Sequence, residues 1–470
     1  MTNAIVVGSG PNGLSCAATL AREGLSVTVI EAEETIGGGT RSGELTVPGV
    51  LHDLCSATHP IAFGSPALRA LEAERHGLEW RWSPVDLAHP LDDGSAGVMV
   101  KSIDQTAGGL GEDGAAWRRV FRSPSEHFDD LNEDTLRPIL HLPKHPIRLA
   151  RFGIPAAAPA TLLVRSWKGA GARALFGGVA AHSFSPLNRP MSSSVGCALI
   201  AAGHAYGWPV ARGGSRAITD ALAAVVEGNG GRIETGRRVS SIAELPAADI
   251  VALDLAPRAV AEIAGDRLPV RVARAYRRYR HGPGAFKLDL AVEGGVPWTN
   301  ESCRRAGTVH LAGTFEELAE AEREVNRGRM PERPFVLVGQ QYLADPDRSN
   351  GDVHPVWAYA HVPSGYDGDA TEAILSQLER FAPDVRERIV ASAVRTTAEL
   401  ESHNANYVGG DIITGANTPV QVLFRPRFAI DPYRTGIPGV YICSAATPPG
   451  GGVHGMNGYN AARSALRSLR

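Results

Sequence analysis

The chain has 470 residues, with 47 basic and 50 acidic side chains and a formal net charge of −3. This length predicts two or three structural units with a sizeable core, and a hydrophobic fraction of 43% excludes a disordered chain. The small net charge argues against a protein that binds nucleic acid through bulk charge. The longest apolar stretches, such as residues 154–164, are too short or too interrupted by proline to span a bilayer.

Cysteine usage points to a reducing compartment. The five cysteines make an odd count without a CxxC spacing, which speaks against a disulfide framework and against a zinc site. The N-terminus lacks the basic segment of a signal peptide, so we expect a cytoplasmic protein without a metal centre. Lysine is rare beside arginine, which we take as the base composition of a GC-rich bacterial genome.

The first forty residues carry the strongest motif. Residues 3–8 predict a buried strand, residues 8–13 (GSGPNG) form a GxGxxG loop, and residues 14–23 predict a helix. A second predicted strand, over residues 26–30, ends at Glu31. A GxGxxG loop in this context, with an acid at the tip of the next strand, is typical of a dinucleotide-binding fold. The alternative is a glycine-rich turn in an unrelated α/β protein.

Each part of this motif has a physical role. Gly8 permits the tight turn, Gly10 lets the backbone approach a pyrophosphate, and Gly13 permits close packing of helix on strand. The helix N-terminus offers free N–H groups to phosphates, and Glu31 can accept hydrogen bonds from ribose hydroxyls. The predicted phosphate-binding residues are Gly8, Gly10, Pro11, Asn12 and Gly13.

A second glycine-rich segment follows Glu31 directly and favours FAD over NAD. A folded-over cofactor with a second phosphate and a ribityl chain needs another backbone cradle and a cation, and Arg41 is the candidate cation. The alternative is a flexible surface loop with a surface arginine. The residues predicted to contact the cofactor here are Ala32, Gly38, Gly39, Thr40 and Arg41.

The C-terminus repeats the pattern of strand, glycine-rich loop and helix. Residues 439–443 predict a buried strand, residues 444–458 a loop, and residues 459–469 a helix. A helix N-terminus here would face the pyrimidine oxygen of a flavin and stabilise negative charge on the reduced ring. The residues predicted to lie at the cofactor are Ser444, Gly452, Val453, His454 and Met456.

With these elements in place, the chain resembles the FAD-dependent phytoene desaturase-related family within the amine-oxidase-like flavoproteins. The matching segments are residues 6–14, 37–42, 49–53, 211–215, 248–251 and 449–454. Residues 238–242 predict a short strand. The resemblance implies FAD as cofactor, places Val239 of this strand against adenine, and places His454 beneath the flavin. Residues 50–52 (VLH) depart from the family, whose members usually carry an aromatic side chain there. The family's carotenoid desaturases act on long polyenes and lie on membranes, but other members have different substrates.

The predicted fold class is α/β, with a discontinuous Rossmann-like FAD-binding domain and a mixed α+β substrate domain. The FAD-binding domain comprises residues 1–85, 205–265 and 405–470, and the substrate domain comprises residues 86–204 and 266–404. A second literal GxGxxG, at residues 109–114, contains two acids and follows no buried strand, so we interpret it as the start of a helix with Asp113 in its first turn. Without an independent NAD domain, the expected electron acceptor is oxygen, a quinone or the substrate itself.

The catalytic candidates are His454, His59 and Trp208, and for each histidine a structural role is the alternative. The expected function is dehydrogenation, or desaturation, of a hydrophobic small molecule with hydride transfer to flavin N5. A redox-neutral flavin isomerase, an amine oxidase with an aromatic cage near the flavin, and a non-catalytic flavin-binding protein stay open. The basic and apolar segment 144–167 would suit contact with a membrane surface or a pair of core helices. The sequence specifies neither substrate nor oligomeric state.

Overall fold

The computed structural model describes residues 2–469, which build two large β-sheets, two small two-stranded sheets and a surrounding set of helices. The strands are β1 Asn3–Val7, β2 Ser26–Ile30, β3 Ser42–Glu44, β4 Leu51–Asp53, β5 Trp80–Arg81, β6 Val85–Pro90, β7 Ala96–Met99, β8 Val210–Ala211, β9 Arg232–Glu234, β10 Ile250–Leu253, β11 Gly284–Glu293, β12 Ala306–Leu311, β13 Val336–Gly339, β14 Val353–Val362, β15 Ile389–Arg395 and β16 Val440–Ile442. The α-helices are α1 Pro11–Arg22, α2 Pro60–Phe63, α3 Pro66–Ala70, α4 Ile103–Gly109, α5 Gly114–Glu126, α6 Phe128–Thr135, α7 Pro146–Ala157, α8 Ala160–Leu163, α9 Ala170–Ala181, α10 Ser194–Tyr206, α11 Arg216–Gly228, α12 Pro257–Ala264, α13 Val270–Arg277, α14 Glu301–Arg305, α15 Phe315–Val325, α16 Thr371–Phe381, α17 Thr397–His403, α18 Pro419–Phe424 and α19 Met456–Leu469.

The first sheet is parallel throughout, in the order β16-β10-β1-β2-β9. β1 is central, and its short run of Ala, Ile and Val side chains is buried on both faces, as a parallel strand between two helical layers requires. Helices α1, α11 and α19 cover one face, whereas α12 and α13 cover the other. Gly458 lets α19 lie directly on α1, because a Cβ there would come within 1.8 Å of the Asn12 carbonyl oxygen.

The second sheet is mixed, in the order β15-β11-β14-β13-β12-β6-β7, and only the β12–β6 pair is parallel. Helices α5, α9 and α10 pack on the face that carries Trp357 and Tyr359. The other face packs against α16 through Ile374 and Leu378. Both faces are therefore covered by helices, which confirms the expected Rossmann-like α/β fold with a mixed second domain.

The strands of the two sheets come from different parts of the chain. Those of the parallel sheet lie within residues 3–30, 232–253 and 440–442, inside the three segments predicted for the nucleotide domain. Those of the mixed sheet lie within residues 85–99 and 284–395. The exact domain boundaries stay a prediction.

Two local predictions have different outcomes. The strand predicted over residues 238–242 is absent, because the edge strand β9 ends at Glu234 and the Arg237 N–H then donates to the Glu31 carbonyl oxygen (2.8 Å). The second GxGxxG does start a helix, since Asp113 directly precedes α5. Its carboxylate accepts from the N–H groups of Lys168 (2.8 Å) and Gly169 (2.7 Å) instead of facing a phosphate.

Among residues 2–469, no single helix is both long and apolar enough to cross a membrane. The helical segments Pro146–Ala157 and Ala160–Ser166 are together long and apolar enough for a membrane span by length and composition only, and the chain bends by 96° between them.

Candidate active site

One cavity of about 570 Å³ joins the two domains. It begins at the carboxyl ends of β1 and β2. The strand order changes direction at β1, which has β2 on one side and β10 on the other. Open α/β sheets bind ligands at such a position. From the glycine-rich loop it extends past His59 to Trp357 and Tyr359 on the mixed sheet. A volume in this range suits a ligand pocket.

The first glycine-rich loop forms the floor of the nucleotide end. Gly8 has a φ of 99°, in the left-handed region that favours glycine. A Cβ on Gly13 would come within 2.0 Å of the Gly8 carbonyl oxygen, and a Cβ on Gly10 within 2.8 Å of Asp254 Oδ2. The loop therefore excludes side chains at both positions, and Gly10 has a protein neighbour that the motif alone does not reveal.

Asp254 directly follows β10 and is a site residue that the sequence reasoning missed. Its Oδ2 accepts from the Gly13 N–H at 2.9 Å. Complete burial, with a smaller contribution from the nearby Glu31 carboxylate, raises the pKa of Asp254 to about 7 against the lowering effect of that hydrogen bond. Its position directly after a buried strand could have indicated the site, because parallel strands on either side of β1 end at the same edge of the sheet as the glycine-rich loop.

Glu31 lies at the tip of β2, as predicted, and is buried. One carboxylate oxygen accepts from the N–H of Ser9 (2.8 Å) and from its hydroxyl, and the other accepts from the Glu33 N–H (3.0 Å). Arg41 lies 3.5 Å from the carboxylate. The Arg41 guanidinium also donates to the carbonyl oxygens of Thr35 and His403, so it lines the cavity while fixing the loop around it.

The structure brings most of the predicted cofactor residues to the cavity. Those that line it are Gly8, Gly10, Pro11, Asn12, Glu31, Ala32, Gly38, Gly39, Arg41, Val239, Gly452, Val453 and His454. The other predicted residues are buried behind the residues that line the cavity; they are Gly13, Thr40, Ser444 and Met456. The Thr40 hydroxyl donates to the Gly37 carbonyl oxygen (2.8 Å), so this side chain supports the second glycine-rich segment without lining the cavity.

His454 occupies the wall of the cavity and is held on both sides. Its Nδ1 accepts from the Met456 N–H (3.1 Å), and the Ser65 hydroxyl donates to its carbonyl oxygen (2.5 Å). Burial lowers the pKa of His454 to about 4, while hydrogen bonding to the backbone of Gly450 and Gly451 opposes the shift. The ring is therefore neutral near pH 7, and its acceptor atom Nδ1 is engaged by the loop.

His59 also lines the cavity, and a buried network holds it. The His59 Nε2 lies 2.8 Å from the Ser215 hydroxyl, whose proton goes to the Ser56 carbonyl oxygen, so His59 is the donor in this contact. Burial lowers the pKa of His59 to about 4. Asp53 fixes Ser215 in turn, because its carboxylate accepts from the Ser215 N–H (2.7 Å).

Trp208 does not lie where the sequence reasoning expected it. The backbone N–H of Trp208 donates to Asp86 Oδ1 (2.9 Å). The preceding residue, Gly207, has a φ of 79° and turns the chain towards the mixed sheet. The indole is buried in the core of the second domain, 6.0 Å between ring centres from His182, and is not part of the lining. A turn at a glycine is not encoded in the apolar pattern around it, so the direction of Trp208 was not predictable.

His182, Trp357 and Tyr359 form the cavity wall on the side of the second domain, and sequence reasoning found none of them. The His182 Nε2 lies 3.0 Å from Nε2 of His310, and burial lowers the pKa of His182 to about 3. Trp357 and Tyr359 have ring centres 5.0 Å apart at 88°. Their spacing of two residues on β14 could have placed them on one face of a strand, whereas His182 follows the end of α9 and has no local signal.

The part of the cavity beyond the glycine-rich loops is mainly apolar, with a few polar side chains such as Ser194, Asn417 and Arg425. The side chains that give it this character are those of Ile61, Phe128, Leu131, Phe152, Leu199 and Ile413. They come from helices and loops that lie far apart in the chain, and together they shape a chamber for an apolar molecule. Among residues 2–469, no group of three or more His, Cys, Asp or Glu side chains has the arrangement of a metal site.

Comparison with known proteins agrees with this architecture. A family model for an NAD(P)-binding Rossmann-like domain matches residues 6–74. Pyridine nucleotide-disulfide oxidoreductase domain-containing protein 2 of Mus musculus is 23% identical, over all of this chain and 94% of the mouse protein. The N-terminal region is thus a Rossmann-like dinucleotide-binding domain.

Solved structures share the whole fold. An oxidoreductase from Methanosarcina mazei superposes with a TM-score of 0.65 at 16% identity, covering 99% of this chain and 100% of that one. Cyclohexylamine oxidase from Brevibacterium oxydans gives a TM-score of 0.59 at 15% identity, covering 100% of this chain and 99% of that one. These likenesses establish a two-domain fold that is used by oxidoreductases.

Proposed function

We propose that the protein is an FAD-dependent oxidoreductase that dehydrogenates a hydrophobic small molecule, in the manner of the phytoene desaturase-related family. The observation that carries this proposal is the continuity of one cavity from the dinucleotide-binding loop to an apolar chamber in the second domain. A site that only bound a nucleotide would not need the chamber, and a site that only bound an apolar ligand would not need the loop.

The residues at the nucleotide end fit FAD. Asn12 lines the cavity, and its buried Oδ1 atom has no hydrogen-bond partner among residues 2–469, so the protein leaves part of this amide's hydrogen-bonding capacity to a bound cofactor. A Cβ on Gly38 would come within 3.1 Å of the Gly10 Cα and fill the cradle between the two glycine-rich segments. Glu31 would hold the ribose, Val239 would contact the adenine, and the loop at residues 450–454 would lie against the flavin.

When bound, FAD supplies a two-electron acceptor for a C–H bond of the substrate. The chain's own contribution is binding, orientation and exclusion of water. The pKa values of His59 and His454 are lowered to about 4 by burial, so both rings are neutral at pH 7 and act as hydrogen-bonding groups. The apolar side chains of the chamber keep water from the reacting carbon. Oxygen or a quinone is the proposed final electron acceptor.

An amine oxidase is the second candidate, and one observation favours it. Trp357 and Tyr359 stand perpendicular to each other in the cavity wall, as two sides of an aromatic cage would. The shared fold with cyclohexylamine oxidase supports the same candidate. An amine oxidase would be reduced by primary amines and a dehydrogenase by neutral hydrophobic substrates.

The purified protein tests the proposal directly. It should be yellow and should release FAD on denaturation, without a covalent bond to the chain. Chromatography of the released chromophore identifies it, and FMN or NAD alone would contradict the proposal. Anaerobic bleaching by a panel of amines and neutral hydrophobic compounds then separates the two candidates. An isomerase would turn over without any external acceptor and without lasting bleaching, which product analysis of the same anaerobic mixtures detects.

A further inference from the structure

Four arginines line the cavity, and one of them differs from the rest. Arg41 lies 3.5 Å from the Glu31 carboxylate, Arg237 2.9 Å from Glu234, and Arg238 3.1 Å from Glu33. These three stand at the nucleotide end, and each has an acidic partner. Arg425 forms no ion pair with any carboxylate of residues 2–469, although it is only 3% exposed.

The guanidinium of Arg425 is fixed in one orientation. Its Nε donates to the Gln421 carbonyl oxygen (3.1 Å) and its Nη2 to the Asn417 Oδ1 (2.8 Å). Asn417 is itself anchored, because its amide NH₂ donates to the Ser183 carbonyl oxygen (3.1 Å). The Nη1 group has no acceptor among the described residues. It lies against Gly450, where a Cβ would come within 2.8 Å of it.

This arrangement places an uncompensated cation between the C-terminal loop and the apolar chamber. Asp411 in the neighbouring loop forms no ion pair with it, and one Asp411 oxygen accepts instead from the N–H groups of Gly282 (2.8 Å) and Gly415 (2.7 Å). A buried charge without a counter-charge is unfavourable, and an anionic ligand removes this penalty. A planar guanidinium with one free edge matches the geometry of a carboxylate.

We infer that Arg425 binds the carboxylate of an amphipathic substrate whose apolar body lies in the chamber beside Phe152 and Leu199. This inference rests on the proposed function and narrows it, because the substrate class becomes a hydrophobic carboxylic acid. It also disfavours the amine oxidase candidate, since a protonated amine would meet a fixed positive charge. A phosphate dianion would need a second cation, and the other three arginines of the cavity are already paired.

The test compares three ligands of equal chain length on the purified holoprotein. Decanoate, decan-1-ol and decyltrimethylammonium differ only in their head groups, and titration calorimetry measures each affinity. We expect decanoate to bind at least tenfold more tightly than decan-1-ol, and decyltrimethylammonium to bind most weakly. Equal affinities for decanoate and decan-1-ol in the wild type would overturn the inference without any variant.

Variants then assign the preference to the residue. Arg425→Gln should lower decanoate affinity at least tenfold and leave decan-1-ol within threefold, whereas Arg425→Lys should retain part of the preference. Arg427→Gln is the matched control, because Arg427 lies two residues away and outside the cavity lining. Loss of flavin from Arg425→Gln would overturn the inference by assigning Arg425 to the cofactor. If the wild type bound no FAD yet selected decanoate through Arg425, the proposed function would fail and the carboxylate site would stand.

Discussion

The two ends of the cavity are built from different parts of the polypeptide. At the nucleotide end the wall is mainly backbone, in two glycine-rich segments within the first 41 residues and a third near the C-terminus. At the apolar end the wall is made of side chains such as Phe128, Leu199 and Trp357, which belong to three distant elements. A cofactor site of this kind depends on which residues lack a side chain, whereas the chamber depends on which side chains the fold brings together.

Gly10→Val is expected to have the largest effect of the changes considered. A Cβ at this position would lie 2.8 Å from Asp254 Oδ2, and the branched side chain would also occupy the phosphate position. We expect complete loss of bound flavin, measured by the absorbance of the purified protein. Gly153→Ala on α7 is the control, because nothing lies within 4 Å of its Cβ position. Full flavin occupancy in Gly10→Val would mean that the loop is not the phosphate site.

Asp254→Asn tests the comparison at the nucleotide end of the cavity, where the wall is mainly backbone, by removing a side-chain charge. The folded-state pKa of Asp254 is raised from 3.8 to about 7, so the folded protein binds this proton more strongly than the unfolded chain does. The carboxyl therefore destabilises the fold progressively as pH rises from about 4 to about 7, by at most about 4 kcal/mol. The amide can still accept from the Gly13 N–H but does not ionise.

We expect the unfolding temperature of Asp254→Asn to lie near that of the wild type at pH 4, to exceed it at pH 5 and to exceed it most at pH 8. Thermal unfolding across this range measures the difference. A difference between the two proteins that did not change with pH would show that Asp254 does not titrate between those values.

Glu31→Arg should weaken FAD binding without abolishing it. The change removes an acceptor for the ribose hydroxyls, worth about 1.5–3 kcal/mol for a charged partner, which corresponds to roughly 10- to 100-fold in affinity. It also releases the Ser9 N–H, which Glu31 holds at 2.8 Å. Titration of apoprotein with FAD measures the dissociation constant, and Glu23→Arg on the exposed end of the first helix is the control. An unchanged dissociation constant would remove Glu31 from the ribose site.

The contrast between the two ends also explains how far the sequence could predict the molecule. β2 was predicted at its observed bounds, and α1 and β16 within a few residues, because local patterns of glycine and apolar residues encode them. Asp254 was not predicted because its hydrogen-bond partner lies more than a hundred positions away in the chain. Arg425 was not predicted because its importance depends on the absence of an acidic partner. Trp208 was misplaced because a single glycine turn decides its direction.

His454→Ala is expected to have the smallest effect, although the sequence made this residue the leading catalytic candidate. Its Nδ1 accepts from the Met456 N–H (3.1 Å), and in this neutral tautomer Nδ1 is the ring nitrogen that would have to take up a proton. A ring engaged in this way holds the loop in place and is not available as a general base, for which a loss of about 10²–10⁴-fold would be expected.

We therefore expect His454→Ala to keep its flavin and to slow anaerobic flavin reduction less than about tenfold, well below the range for a lost general base. Stopped-flow reduction by substrate measures this rate, and His76→Ala on the exposed surface is the control. Because the pKa of His454 is lowered to about 4, the reduction rate of the wild type should show no titration of this group between pH 6 and 8. A loss of a hundredfold or more in the variant, with full flavin occupancy, would restore His454 as a proton-transferring residue and show that its hydrogen bonds rearrange when substrate binds.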